Sequence, residues 1–301
     1  MIAIEHLTKR YRKTVAVDDL DLVVQPGVVT GFLGPNGSGK STTMRVIMGL
    51  DRPTRGRATI NGRPYHDLRD PLREVGALLE AKAVNPGRSA RNHLRALAAS
   101  NKIPFSRVEE VLEFVGLASV ATKRVGDFSL GMGQRLGIAS ALLGDPGILL
   151  FDEPVNGLDP EGIRWIRDLF RSLAAEGRTV FVSSHLMSEM AVTADQIIVI
   201  GKGRLITQGS VDDLTAAAKG SVVVRGSDRE RLEIALRAAG ATLEAGNDDA
   251  LRVGGLTAEA VGRLAFDQGV VLFELTPERA SLEEVYMALT AGAVEYGSGA
   301  S

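Results

Sequence analysis

A chain of 301 residues, 45% hydrophobic and 24% charged, has room for one large and one small globular domain and is neither disordered nor fibrous in composition. Its formal net charge of -2 offers no basic field for nucleic acid, and without cysteine it has no disulfides or thiolate metal sites, which suits a reducing compartment. No apolar run reaches the roughly 18 residues that a membrane span needs, and Glu5, Lys9 and Arg10 stand where a signal peptide would have its apolar core. The expectation is a cytosolic chain that meets a membrane only through a partner.

Ile2 to Leu7 and Leu20 to Val24 read as strands, with Tyr11 between them, and Pro26-Gly27 marks the turn before a third strand, Val28 to Leu33. There follows Gly34-Pro35-Asn36-Gly37-Ser38-Gly39-Lys40-Ser41, which has the G-x-x-x-x-G-K-[ST] spacing of a phosphate-binding loop. Glycines at 34, 37 and 39 let successive backbone N–H groups point inward at an anion. Lys40 adds a compact positive charge for the terminal phosphates, and Ser41 offers a hydroxyl to a magnesium ion. Thr42 to Leu50 is expected as the helix whose positive end faces the phosphates, so Gly34 through Thr42 are the candidate nucleotide-binding residues.

Arg57 to Asn61 and Val75 to Glu80 are further candidate strands. The pattern then turns helical: Arg91 to Ser100, Val108 to Val115 behind a capping box of Ser106 and Glu109, and about Met132 to Leu143 after Ser129. Arg88, Arg91 and Arg95 read as a solvated helix face. Ile148 to Asp152 is a continuous apolar run, as a buried parallel strand should be. Asp159 and Pro160 form an N-cap and first-turn pair for a helix to about Glu176. Thr179 to Ser183 is the next buried strand, and Ile197 to Ile200 with Arg204 to Thr207 reads as a hairpin.

A phosphate loop needs a second carboxylate for its metal and a group that activates water. Asp152, at the end of an apolar strand, is suited to hold magnesium through water, and Glu153 to act as general base. The alternative is a strand end with two solvated carboxylates, which the upstream phosphate loop disfavours.

With these motifs the chain resembles the ATP-binding subunits of ABC transporters over about Met1 to Leu214. Tyr11 matches the aromatic residue that stacks on adenine. Phe128-Ser129-Leu130-Gly131-Met132, followed by Gln134-Arg135, matches the signature motif that binds the γ-phosphate on the opposite subunit. Gly157-Leu158-Asp159-Pro160 matches the loop at the dimer interface, and His185 the switch histidine at the γ-phosphate. Leu130 and Met132 replace a Gly and a Gln of the usual signature, while Ser129 and Gly131 remain; Glu80 stands at the lid-loop glutamine, where its carboxylate can hold a water or the metal. Both variants resemble the drug- and antibiotic-export branch. The resemblance implies an α/β P-loop ATPase fold with an antiparallel β subdomain and a helical subdomain, ATP and Mg2+ as ligands, and a homodimer. It also implies a separate transmembrane permease subunit docked at about 80–100, at the inner face of the cell membrane, and export of drugs, antibiotics or lipid-like compounds. Rival readings are a soluble ABC protein acting on ribosomes or DNA, which would carry two ATPase units or long heptad arms, and a ligand-sensing regulatory ATPase.

The rhythm changes near Lys219-Gly220, dividing the chain into 1–218 and 219–301. Ser221 to Arg225 reads as a strand, then a helix boxed by Ser227 and Glu230, two short strands, a helix near Thr257 to Gln268, a strand at Val270 to Leu275 and a helix boxed by Ser281 and Glu284. That order, β-α-β-β-α-β, is ferredoxin-like. Its expected role is assembly rather than chemistry, and the Gly/Ser/Ala-rich tail from Ala291 to Ser301 is expected to be loose.

Overall fold

Alternation of Ile2 and Ile4 with more polar residues starts β1 (Ile2–Tyr11), which pairs antiparallel with β2 (Thr14–Val24), Ile2 facing Val24 and Tyr11 facing Thr14. The structure is a computed structural model that describes residues 1–80, 84–217, 220–246, 249–278 and 280–290. Next come β3 (Val29–Leu33), buried throughout, and α1 (Lys40–Ile47), which begins two residues before the expected Thr42. β4 (Arg55–Ile60) pairs with the free side of β1, giving a three-stranded antiparallel sheet in the order β2-β1-β4.

A single turn, α2 (Pro71–Glu74), leads into β5 (Val75–Leu78). Three helices follow: α3 (Ala90–Ser100), α4 (Ser106–Phe114) and α5 (Leu130–Leu142), each packed on the other two. The chain then returns to parallel strands with β6 (Ile148–Asp152), α6 (Pro160–Ala175), β7 (Thr179–Ser184), a short α7 (Met187–Ala191) and β8 (Gln196–Gly201). The hairpin partner β9 (Arg204–Ser210) closes a six-stranded sheet of order β5-β6-β7-β3-β8-β9, parallel from β5 through β8. Phe32 of β3 stacks on Phe181 of β7 at 5.1 Å, and Phe151 of β6 on Phe170 of α6 at 4.7 Å. All four rings are fully buried, each burial contributing about 1.5–3 kcal/mol. These contacts fix the strands whose C-terminal ends carry the phosphate loop, Asp152-Glu153 and Ser183-Ser184-His185.

The chain divides into two compact units, Met1–Gly209 and Ser210–Ser301. The second opens with α8 (Val211–Ala217), unforeseen in the sequence, and continues through β10 (Ser221–Gly226), α9 (Arg229–Ala238), β11 (Thr242–Ala245), β12 (Leu251–Gly254), α10 (Ala258–Asp267), β13 (Leu272–Glu278) and α11 (Leu282–Thr290). Its sheet has the order β11-β12-β10-β13 with every neighbour antiparallel, two interleaved β-α-β units as in ferredoxin-like domains. Val222, Val224, Leu232, Leu236, Val253 and Val261 centre its own core.

Two expected capping boxes do not form. Ser106 is the first helical residue of α4 rather than its cap, and Glu109 instead accepts from Arg91 Nη2 at 3.0 Å, so the basic set on α3 is partly paired. Asp228 caps α9 by accepting from Arg231 N, while Ser227 Oγ accepts from Val271 N. The third box is present: Ser281 N donates to Glu284 Oε2 at 2.7 Å and Glu284 N to Ser281 Oγ at 3.1 Å. The tail expected to be loose, 291–301, lies outside the described residues, as do 81–83 of the stretch assigned to a partner.

Candidate functional site

The phosphate loop turns into α1 at Gly39, whose φ of 108° lies in the left-handed region; a Cβ there would also meet Ala16 O at 2.6 Å, so only glycine fits. Ser38 is buried and its N–H donates to Pro35 O at 3.1 Å, while its carbonyl accepts from Gly203 N at 2.9 Å, fastening the loop to the β8–β9 turn. Ser38 Oγ is buried and has no hydrogen-bond partner among the described residues. Pro35, Asn36 and Gly37 form the exposed crest of the loop, Gly34 is buried beneath it, and Ser41 is exposed in the first turn of α1.

Lys40 folds back over this loop. Its Nζ donates to Gly34 O at 2.6 Å and Pro35 O at 3.3 Å, and it lies 3.5 Å from Glu153 Oε1, with only 6% of the side chain exposed. The other oxygen of Glu153, Oε2, accepts from His185 Nδ1 at 2.8 Å. Three expected site residues from three elements thus form one connected chain. Glu153 follows β6 with φ 49°, a strained conformation for a non-glycine residue. Its N–H donates to Ser183 Oγ at 3.0 Å and Ser183 O at 3.3 Å, which fixes the turn.

Ser183 is the residue that motif reasoning missed as a site member. It lies opposite Asp152 in the β6–β7 ladder, and its hydroxyl donates to Asp152 Oδ1. One hydroxyl therefore orients both carboxylate-bearing residues. The signal was present in Ser183-Ser184-His185, but the pairing appears only once the strand register is known. The Ser41 hydroxyl and Asp152, which keeps a second carboxylate oxygen beyond the one taken by Ser183, are hard oxygen donors of the kind magnesium selects. Glu80 is exposed in the loop after β5.

Tyr11, at the end of β1, donates through its hydroxyl to Asp51 Oδ2 at 2.8 Å, and Lys9 Nζ lies 4.7 Å from its ring centroid. Burial first, and then the bond to Asp51, pushes the Tyr11 phenol above its ordinary range. Ser129 is exposed and caps α5, accepting from Met132 N at 3.2 Å; Gly131 follows in the first turn. Gln134 Nε2 donates to Asn156 O at 3.1 Å, joining the start of α5 to the loop that ends at Asp159. Asp159 Oδ1 accepts from Gly162 N at 2.9 Å and caps α6.

Residues 17–156 match a family model described as ABC transporter, and residues 220–283 match a domain family of unknown function. The chain is 36% identical over 293 residues to the Bacitracin transport ATP-binding protein BcrA of Bacillus licheniformis, spanning 95% of this chain and 96% of that one. It is 36% identical over 212 residues to the Lantibiotic transport ATP-binding protein SrtF of Streptococcus pyogenes, spanning 70% of this chain and 92% of that one. Among solved structures, a dimeric post-hydrolysis state of an ATP-binding cassette bound to ADP and Pi aligns with a TM-score of 0.64 at 27% identity, covering 70% of this chain and 99% of the other.

Proposed function

The chain belongs to the ATP-binding proteins of ABC transporters, and from that premise we propose that two copies bind ATP between the phosphate loop of one and Ser129 of the other. The observation that carries this reading is the connected set Lys40, Glu153 and His185 at the mouth of the phosphate loop. Gly34 to Thr42 cradle the phosphates with backbone N–H groups, and the Lys40 ammonium moves from the loop carbonyls to the phosphate oxygens. Tyr11 takes the adenine on its ring.

Glu153 accepts a proton from the attacking water on a carboxylate oxygen, and His185 holds that carboxylate in place before contacting the γ-phosphate. Ser41 and Asp152, with Glu80 at the lid, would hold a magnesium ion, which would supply charge neutralisation at the phosphates. Ser129 and Gly131 of the second copy present a hydroxyl and a closely approachable backbone to the same phosphate, while Asp159 lies on the loop between the two copies. Nucleotide binding closes the dimer and hydrolysis reopens it.

The coupled process is export of antibiotics, drugs or lipid-like compounds through a separate transmembrane permease that docks at about 80–100 on the cytoplasmic face of the membrane. The relatives named for bacitracin and lantibiotic transport support this choice. Among the described residues no helix is long and apolar enough to cross a membrane, so the pathway falls to the permease. Residues 1–218 act as the nucleotide-binding domain, although α8 (Val211–Ala217) belongs to the second compact unit. Residues 219–301 have a core of their own and carry none of the site residues, so they support assembly.

Mixing variants tests the shared site. Ser129→Arg and Lys40→Ala chains are each expected to be inactive alone, and their mixture to recover hydrolysis through heterodimers with one intact site. Full activity of either variant alone would overturn the shared geometry.

A further inference from the structure

The segment that follows α1, Gly49 to Arg52, reaches across to the end of β1 and grips Tyr11 there. Asp51 Oδ2 accepts from the Tyr11 hydroxyl at 2.8 Å and from Arg45 Nε at 2.7 Å, with 17% of its side chain exposed. Arg52 O accepts from Lys9 Nζ at 2.8 Å, and that ammonium sits over the Tyr11 ring at 4.7 Å from its centroid. The ring is therefore fixed at its edge by Asp51 and covered on one face by Lys9, while 42% of the residue stays exposed.

The grip is also rigid along the chain. Leu50 N and Asp51 N both donate to Arg45 O, at 2.9 and 3.3 Å, so Asp51 is locked to the C-terminal end of the helix that begins in the phosphate loop. The Arg45 guanidinium and the Tyr11 hydroxyl hold the Asp51 carboxyl below its ordinary range against the opposing effect of burial, which keeps it an ionised acceptor at neutral pH.

We propose that Asp51 is a positioning residue for the nucleobase: it sets the orientation of the Tyr11 ring relative to the phosphate loop, so that a bound purine stacks on the ring face opposite Lys9. This role presupposes that Tyr11 carries the adenine. An aromatic side chain anchored only through its backbone samples several rotamers, and a base must then pay to order it. Here the Asp51 hydrogen bond and the Lys9 contact order the ring. The carboxylate also makes the ring more electron-rich through its hydroxyl, which suits a face that carries an ammonium on one side and an electron-poor purine on the other. The pieces lie 40 residues apart in sequence and meet only through the fold.

Calorimetric titration of the full chain with Mg-ATP and with Mg-tripolyphosphate, which has no base, separates the base term from the phosphate term. Asp51→Ala and Tyr11→Phe are each expected to weaken ATP binding about five- to tenfold, the upper range of one ordinary hydrogen bond, with tripolyphosphate affinity unchanged. The double variant should be no weaker than either single one, because both remove the same contact. Tyr11→Ala should lose more ATP affinity, again with tripolyphosphate unchanged.

If Tyr11→Ala leaves ATP affinity intact, the adenine assignment of Tyr11 fails. If Tyr11→Ala weakens ATP but Tyr11→Phe and Asp51→Ala do not, the role of Asp51 alone is overturned. Equal losses for ATP and tripolyphosphate in Asp51→Ala would mean a damaged phosphate loop, and would also overturn it. Tyr11→Phe, which changes only the hydroxyl, keeps the test decisive should Asp51→Ala fold poorly.

Discussion

The Lys40 ammonium lies 3.5 Å from Glu153 Oε1, and the same carboxylate accepts from His185 Nδ1 at 2.8 Å through its other oxygen. The proposed phosphate-binding cation and the proposed general base thus form an ion pair. On the proposed reading, phosphates would compete for Lys40, and its departure would free Glu153 Oε1 for water.

Glu153→Gln follows directly from this pairing. The amide fills the same space and removes the charge facing Lys40, so ATP binding is expected to be retained or tightened. It cannot take the proton from water, so turnover should fall by about 10²–10⁴. Steady-state phosphate release gives the rate, and gel filtration with ATP should find a persistent dimer. Near-normal release would assign the base elsewhere.

The loop before α6 supplies a second prediction. Gly157 has φ 78°, and a Cβ built there would lie 2.0 Å from Leu130 Cδ2 and 2.4 Å from its Cγ. The residue that replaces a signature glycine thus fills the space beside this glycine. Gly157→Ala should cost about 1–2 kcal/mol from the left-handed backbone, with an overpacking cost of about 1–3 kcal/mol added to it. Leu130→Ala removes the overpacking but not the backbone strain. Denaturant melts of both single variants and the double variant should give a favourable coupling between the sites. Strict additivity would mean that Leu130 swings away at no cost.

How much of this was legible beforehand depends on the range of each interaction. The phosphate loop and Asp152-Glu153 were readable because their chemistry lies within a few residues, next to an apolar strand that announces itself. Ser183 as the orienter of both Asp152 and Glu153 was not, since it depends on the parallel register that sets Asp152 opposite Ser183. Asp51 was missed because its partner Tyr11 lies 40 residues earlier, at the end of β1. The Ser106 and Glu109 box failed although its spacing matched, because the turn begins earlier: Arg107 N donates to Pro104 O at 3.1 Å and Glu109 is drawn to Arg91. The five-residue α7 is too short to establish a helical period.

The last prediction concerns pH and the packing of α3 on α5. His93, half-buried on α3, has its Nε2 3.3 Å from Ser140 Oγ, and that hydroxyl donates to Leu136 O at 2.9 Å. With its proton committed to Leu136, Ser140 can only accept, so His93 donates from Nε2. Burial first, and then the positive charge of Arg88, lowers its pKa from 6.5. The sign follows: the unfolded chain binds the proton more readily, so this contribution to stability is complete above the unfolded value of 6.5 and is lost as pH falls through the folded one. His6 works in the opposite direction, its pKa raised by the hydrogen bond to Asp19 and the charge of Asp21, but it is untouched by a change at position 93. His93→Gln keeps a donor for Ser140 and removes the titration. Trp165, the single tryptophan, lies under the Arg135 guanidinium at 4.4 Å and reports unfolding of the first unit by fluorescence. Urea midpoints measured by that signal from neutral pH down through the His93 range should fall less steeply in His93→Gln than in the parent chain. Parallel curves for the two proteins would mean that His93 titrates alike in the folded and unfolded states.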